Sequence, residues 1–238
     1  MFLSKLVLNS RNRQARRDLA SPYELHRTVW SAFPDTEPGR IIFRVDADRT
    51  SAHPVVLVQS DLRPQWGRVK QGGSDYFVAP PEPPKEFELP FTRGQRLRFR
   101  LRANPTKKVG SLSKVDRLAG AQARDGHTKN GRRVALLREE EQVAWLLHKG
   151  EEGGFRIPGE WMTGRDGRKM PNFRVVLVPE GWVQCGKEGH TDGRFFAVRF
   201  EGILEVTDPA QLQKTVADGI GPAKGFGFGL LSLARAEG

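Results

Sequence analysis

The chain has 238 residues, a formal net charge of +11 and an isoelectric point near 10.2, and this length suits one large core or two small ones. The basic excess points to a polyanionic partner, either nucleic acid or an acidic membrane surface. Its one cysteine, Cys185, excludes an internal disulfide, and its five scattered histidines predict no zinc site. No run approaches the ~20 apolar residues of a membrane span, and no signal peptide opens the chain. We therefore expect a cytoplasmic protein with no membrane partner.

The charge excess is confined to one segment. Arg93–Arg133 carries thirteen Lys or Arg residues against two acids, Asp116 and Asp125, so its net charge equals the +11 of the whole chain. A basic run can be no more than a solvated loop. Because the entire excess is concentrated here, we favour contact with a polyanion.

The first third of the chain predicts alternating strands and helices. Phe2–Leu8 indicates a strand. A helix is predicted to begin after Ser21 and to run to about Phe33, because Ser21 can cap it, Pro22 suits its first position and Glu24 completes a capping box. The next predicted elements are strands at Arg40–Val45 and Pro54–Gln59, a short helix within Asp61–Lys70 and an extended connection over Gly72–Gly94.

A strand is predicted most clearly at Arg96–Arg102, which reads R-L-R-F-R-L-R. With a period of two, the four arginines share one face and Leu97, Phe99 and Leu101 share the core face. The element order up to this point is that of a ferredoxin-like domain, to which we assign residues 1–105.

The rest of the chain predicts a second set of the same kind. Residues 106–130 are polar and basic and are expected to form a linker or mobile loop. The predicted elements that follow are a strand at Arg132–Leu137, a helix at Glu139–Lys149, an irregular stretch over Gly150–Met170, strands at Phe173–Val178 and Arg194–Val206, a helix from Asp208 to Gly219 and a strand ending near Ala234. The predicted fold is thus α+β with two tandem ferredoxin-like (RRM-like) domains, the second spanning 131–238. No internal sequence repeat demonstrates a duplication.

A glycine-rich stretch precedes the last strand and reads GIGPAKGFGFG from Gly219 to Gly229, with Lys224 as its one cation. Glycine allows the backbone to approach a ligand closely. A dinucleotide fingerprint has the reverse order of strand and helix, and a P-loop needs Gly-Lys-Ser/Thr, so the stretch is neither. Composition alone favours a helix C-cap followed by a tight turn.

The sequence of this stretch and the residues after it, GIGPAKGFGFGLLSLA, resembles the C-terminal signature of the CasE family. The members of this family are the endoribonucleases that process CRISPR repeat RNA in type I-E systems. The segments MFLSKLVLN, RRDLASPYELHRTVW, FRLRANP and FEGILEV resemble the same family and follow its order across essentially the whole chain. The resemblance implies two ferredoxin-like domains, a CRISPR repeat RNA hairpin as substrate, and association with the other Cascade subunits through the processed guide RNA.

Two candidate catalytic residues lie on the first predicted helix. Tyr23 and His26 are three residues apart and project from one face near its N-terminus, where Arg27 adds a cation. A lone histidine on a helix is more often structural than catalytic, although its ordinary pKa of about 6.5 suits proton transfer. The resemblance places the family's catalytic histidine on His26 and its tyrosine on Tyr23. It implies cleavage by attack of a ribose 2′-OH, without a metal or another cofactor.

Several basic residues are candidates for RNA binding. The arginine face of the strand, with Arg96, Arg98, Arg100 and Arg102, either contacts phosphates or is an ordinary exposed charged face. The resemblance adds a basic segment, NGRRVAL, and a turn, GKEGHTDGR, that the family presents to the RNA stem. The glycine-rich stretch either supports RNA binding or packs beneath the first helix. The full set of predicted RNA-binding positions is Arg27, Arg98, Arg100, Arg102, Lys129, Arg132, Arg133, Lys187, Arg194 and Lys224. The glycine-rich loop, a separate candidate site, comprises Gly219, Gly221, Gly225, Gly227 and Gly229.

A non-catalytic RNA-binding module with the same double fold is the alternative that the sequence leaves open.

Overall fold

The computed structural model describes residues 1–33, 39–47, 53–69, 73, 75–88, 90–109, 132–164, 167, 169–185 and 193–236. Within these ranges the chain forms two larger antiparallel sheets with helices packed on them, so the predicted α+β class is confirmed. No helix in these ranges is long and apolar enough to cross a bilayer.

The first sheet has the strand order β2-β3-β1-β4. Its elements are β1 (Phe2–Val7), α1 (Arg13–Ala20), α2 (Pro22–Trp30), β2 (Ile41–Ala47), β3 (Pro54–Ser60) and β4 (Lys85–Glu86). This is the strand order of a ferredoxin-like sheet. Where the sequence predicts a short helix, the second crossover has a 3-10 turn at Trp66–Arg68.

The start of α2 confirms the predicted cap, but only half of the predicted capping box forms. The Ser21 side chain accepts a hydrogen bond from the Glu24 amide at 3.4 Å. The Ser21 amide donates to the Arg17 and Asp18 carbonyls at the end of α1, so it is not free to bond to the Glu24 side chain. Glu24 pairs with Arg27 instead.

Helix α1 was not predicted because it lacks an apolar stripe. Four of its eight residues are basic or acidic, and only Ala15 and Asp18 are buried. The helix is held by the Asp18 carboxylate, which accepts hydrogen bonds from Thr28 Oγ1 and from the Tyr76 hydroxyl, both at 2.7 Å. These hydrogen bonds of a buried carboxyl group add to the small apolar contact that Ala15 and Leu19 make with the first core.

The second sheet has the strand order β11-β12-β5-β13, with β8 paired to the end of β12. In chain order this half contains β5 (Arg96–Ala103), β6 (Thr106–Val109), β7 (Arg132–Ala135), α3 (Glu139–Gly153), β8 (Phe155–Arg156), β9 (Gly159–Thr163), β10 (Lys169–Phe173), β11 (Val175–Gln184), β12 (Arg194–Val206), α4 (Pro209–Asp218) and β13 (Leu231–Arg235). With β5 as its first strand, this sheet also has the ferredoxin-like order.

The strand predicted at Arg96–Arg102 is confirmed, but its assignment to the first domain is wrong. Strand β5 pairs with β12 and β13, and its buried side chains Leu97, Phe99 and Leu101 join the core formed with α3 and α4. The edge of the first sheet is filled by the two residues of β4. We therefore propose that the second unit begins near Phe91, whose side chain already packs against this core, rather than at residue 131.

The predicted linker accordingly lies within the second unit, between its first strand and its first helix. Its described start, Thr106–Val109, is not a free loop, because this strand, β6, pairs with β7 in a separate antiparallel ribbon. Residues 110–131 lie outside the described residues. The predicted irregular stretch over Gly150–Met170 is wrong in part, since β9 and β10 form an exposed hairpin there.

Buried polar contacts join the two units. Arg44 of β2 is only 2% exposed, and its guanidinium binds the Asp46 carboxylate through two bonds of 2.9 Å. Its Nη1 also donates to the carbonyl oxygens of Arg100 at 3.2 Å and Leu230 at 3.3 Å. Gln59 of β3 donates to the Val216 carbonyl at 2.7 Å. These bonds fix the residue preceding β13, and hence the end of the glycine-rich stretch, against the first sheet.

Candidate active site

Helix α2 presents Tyr23 and His26 on the face opposite its buried residues. Leu25, Thr28 and Val29 point into the first core. The side chains of Tyr23 and His26 are half-buried, so they remain accessible from outside. Their spacing of three residues places them one above the other on this face.

The His26 imidazole lies in a notch with apolar walls. Its ring centroid is 5.6 Å from that of Trp30 and 6.2 Å from that of Phe43 on β2. Its Nδ1 is buried and has no hydrogen-bond partner in the described part of the chain. Burial lowers the pKa of His26 below its ordinary value near 6.5. The ring is therefore neutral at neutral pH, and Nε2 is the nitrogen left for an exchange of protons with a ligand.

The third side of this notch is the glycine-rich stretch, which packs against α2 and β2. A methyl group at Gly225 would lie 3.7 Å from His26 Cε1. Gly227 has a φ of +83° and its Cβ would lie 3.2 Å from the Phe43 ring, a position where a larger residue is both strained and crowded. Of the two roles that the sequence left open for this loop, packing beneath the helix is confirmed.

The side chain of Lys224 lies along the glycine-rich stretch itself. Its methylene carbons pass over Gly219 and Gly229, and burial, with the neighbouring Arg40 charge, lowers its pKa. It borders a groove of about 1070 Å³ between the β6–β7 ribbon, α3 and α4. Gly221 lines the same groove beside Trp145.

The predicted arginine face of β5 carries less free charge than the sequence indicates. Arg100 pairs with Glu201 at 2.9 Å, and the more exposed Arg96 lies 3.7 Å from Glu205. Arg102 pairs with Glu180 at 2.6 Å and its guanidinium lies 4.6 Å from the centre of the Phe228 ring.

The fourth arginine of this face, Arg98, is exposed and has no ion-pair or hydrogen-bond partner among the described residues. The acids that pair with the other three come from β11 and β12, which no local sequence pattern could reveal. Contact between this face and RNA remains a prediction.

The other predicted RNA-binding residues are spread over separate surfaces. Arg27 is exposed and pairs with Glu24 at 3.2 Å. Arg133 is exposed on β7, and Arg194 lies 5.0 Å over the Trp182 ring. Arg132 belongs to β7, while Lys129 and Lys187 lie outside the described residues.

Sequence reasoning missed Phe43 and Trp30 as neighbours of the candidate histidine. The spacing of four residues between His26 and Trp30 was the one signal that could have indicated the second of them. Among the described residues, no group of three or more His, Cys, Asp or Glu side chains could hold a metal ion.

Comparisons with known proteins point to one family. The family described as CRISPR associated protein matches residues 1–235. The chain is 40% identical to the CRISPR-associated endoribonuclease Cse3 of Thermus thermophilus, over 98% of this chain and all of that protein. It is 33% identical to the CRISPR system Cascade subunit CasE of Escherichia coli K12, over 98% of this chain and 99% of that protein.

One solved structure that the fold matches is Thermus thermophilus Cse3 bound to an RNA that represents a pre-cleavage complex. The match has a TM-score of 0.76 at 38% identity and covers 98% of each chain. Both the sequence and the fold are therefore shared along nearly the whole length. The chain belongs to the CasE/Cse3 family of CRISPR-associated proteins.

Proposed function

We propose that this protein is a metal-independent endoribonuclease of the cytoplasm that binds the CRISPR repeat RNA hairpin and cleaves precursor CRISPR RNA. After cleavage it stays on the guide RNA and joins the other Cascade subunits. Support comes from the names of its relatives, one an endoribonuclease and one a Cascade subunit. Further support comes from the similar fold of a relative held with RNA before cleavage.

The observation that carries the proposal is the setting of His26. The half-buried imidazole has a lowered pKa, and its buried Nδ1 makes no structural hydrogen bond, which leaves Nε2 for proton transfer. It lies where α2 of the first unit meets the glycine-rich stretch of the second. A substrate that reaches it contacts both units.

The proposed reaction is an internal transphosphorylation. The ribose 2′-oxygen forms a bond to the neighbouring phosphorus while the bond from phosphorus to the 5′-oxygen breaks. His26 exchanges the protons involved, because the 2′-OH loses one and the leaving 5′-oxygen gains one. The products are a 2′,3′-cyclic phosphate and a 5′-hydroxyl end.

Tyr23 and Arg27 assist through position and charge. Both lie in the first turns of α2, whose N-terminal amides favour an anion. In this proposal the Tyr23 hydroxyl donates a hydrogen bond to a phosphate oxygen. Arg27 shares its charge with Glu24, so it contributes a partly screened cation.

Replacement of His26 tests the proposal. His26→Ala is expected to lower the cleavage rate of a repeat hairpin by about 10²-fold or more, while gel-shift affinity for the hairpin stays nearly unchanged. His148→Ala is the matched control, since this histidine is exposed on α3 and pairs with Glu152 at 3.2 Å. Undiminished cutting by His26→Ala would contradict the assignment. A wild-type protein that binds but never cuts would support the non-catalytic RNA-binding module.

A further inference from the structure

Trp30 is a large exposed side chain at the end of α2. It is 47% exposed and is the last residue of the helix. Tryptophan rings carry a large apolar area that folding usually buries. From this helix, however, it is Leu25 and Val29 that fill the first core. The core therefore does not account for the placement of Trp30.

The position of this ring relative to the candidate site is specific. Tyr23, His26 and Trp30 follow one another at intervals of three and four residues, which puts all three on one face of α2. The indole and imidazole centroids lie 5.6 Å apart, with the planes inclined by 57°. Any ligand that contacts His26 Nε2 thus passes within reach of the indole.

The other exposed tryptophans already have partners of their own. Trp182 lies beneath the Arg194 guanidinium, and Trp161 of β9 packs edge-on against Phe173. The ring neighbour of Trp30 is the candidate catalytic group itself.

We propose that Trp30 is a stacking platform for one unpaired nucleobase beside the phosphate on which His26 acts. The proposal rests on the proposed function and adds the contact that orients the RNA there. Unpaired RNA bases bind proteins by stacking on aromatic side chains, and every base offers a suitable face. At 5.6 Å from the imidazole, the indole reaches a nucleotide that adjoins the scissile phosphate rather than a remote one.

Stacking on Trp30 would assist catalysis by aligning the reacting atoms of the RNA. Attack by the 2′-oxygen requires that the attacking oxygen, the phosphorus and the leaving oxygen lie close to a line, and holding reactants in such a geometry contributes strongly to rate. A base fixed on Trp30 removes rotation about the sugar-phosphate bonds next to the cut. Trp30 is thus a positioning residue, and His26 remains the proton-transfer group.

The test is a cycle of protein and RNA changes. Single-turnover cleavage at subsaturating protein is measured for wild type, Trp30→Leu and Trp30→Phe. Each of these proteins is assayed with the repeat hairpin and with hairpins that carry one abasic ribonucleotide at an unpaired position flanking the cut. The abasic ribonucleotide keeps its 2′-OH. Trp161→Leu is the matched control, because this tryptophan is also exposed but lies on the β9–β10 hairpin.

We expect Trp30→Leu to lower the rate on the order of tenfold, and Trp30→Phe to retain most of it because the aromatic face remains. At one flanking position, removing the base should lower the cleavage rate of the wild type by about the same factor as Trp30→Leu does. The same RNA change should not lower the rate of Trp30→Leu any further. Trp161→Leu should behave as wild type with every RNA.

Equal cleavage rates for wild type and Trp30→Leu would overturn the stacking. It would also be overturned if, at every position tested, the abasic change slowed Trp30→Leu by the same factor as it slows the wild type. The first outcome would assign the exposed ring to a protein contact or to plain surface. A wild-type protein that leaves the RNA uncut would instead contradict the proposed function, and the stacking with it.

Discussion

Gly225 lies against the imidazole of His26, so close that a single methyl group there would come to 3.7 Å from the ring. The histidine belongs to a helix of the first unit, and the glycine belongs to the loop that precedes the last strand of the second. The two sequence motifs that resemble the CasE family most clearly, YELH and GIGPAKGFGFG, therefore meet at one point. The candidate site exists only when both units are packed together.

The same substitution at two glycines of this loop should have opposite effects on stability. Gly227→Ala is expected to lower the free energy of unfolding by about 1–2 kcal/mol, because alanine is strained in the left-handed region and would also crowd the Phe43 ring. Gly225→Ala should leave it unchanged or raise it by up to about 1 kcal/mol, because a β-carbon fits there at ordinary contact distance. Urea denaturation of the two variants measures both values. A loss at Gly225→Ala as large as at Gly227→Ala would contradict the described loop conformation.

Stability should depend on pH through His26. Burial lowers its pKa in the folded protein, so the unfolded chain takes up the proton more readily as the pH falls below about 6.5. The free energy of unfolding is therefore fully retained above that pH and declines as the pH falls below it. His26→Gln should reduce this decline. Denaturation curves at pH 5, 6 and 7 give the free energy of unfolding of each protein. If this free energy falls as much between pH 7 and pH 5 in His26→Gln as in the wild type, the burial of the ring is contradicted.

The buried Arg44 should contribute far more to the free energy of unfolding than an exposed arginine does. Arg44→Met leaves the Asp46 carboxylate and the carbonyls of Arg100 and Leu230 without their donor, and we expect a loss of about 3–5 kcal/mol in unfolding free energy. The control is Arg40→Met, whose pair with Asp218 is 3.5 Å long and about half exposed, and which should cost less than about 1 kcal/mol. Similar losses for the two variants in urea denaturation would show that Arg44 does not join the units.

RNA binding by the basic ribbon should appear in the salt dependence of affinity. Arg132→Ala with Arg133→Ala is expected to lower the slope of log affinity against log salt by about two units, one for each phosphate that the protein no longer neutralises. A charge-matched control is Arg63→Ala with Arg156→Ala, since both of these arginines are exposed and neither is among the predicted RNA-binding positions. The control should change the slope little. Equal slopes for the two double variants would contradict a specific phosphate contact by the ribbon.

Local patterns in the sequence predict most individual elements of this fold. The cap at Ser21, the alternation of β5 and the Asp208–Pro209 helix start each depend on neighbouring residues alone, and each is confirmed. The sheet to which β5 belongs could not be predicted in the same way. Alternating arginines and apolar residues look alike in either sheet, and the pairing partners β12 and β13 come much later in the chain.

The candidate site was likewise predictable only where it depends on neighbouring residues in the sequence. His26 and Tyr23 could be named from the resemblance of a short segment. The burial of the imidazole could not, because Phe43 and Gly225 reach it from other elements. The free charge of the β5 face was overestimated for a similar reason, since Glu201 lies opposite Arg100 only once the strands have paired.

The proposed mechanism uses the RNA's own 2′-oxygen as the nucleophile and no metal. It is tested by single-turnover cleavage of a repeat hairpin that carries one 2′-deoxy nucleotide just upstream of the scissile phosphate, beside the unmodified RNA in excess EDTA. Under this mechanism the deoxy RNA is bound but not cut, and the unmodified RNA is cut in EDTA to give a 2′,3′-cyclic phosphate. Cleavage of the deoxy RNA, or activity that EDTA abolishes and magnesium restores, would contradict it, because a hydrolytic nuclease brings water to the phosphorus with a divalent metal.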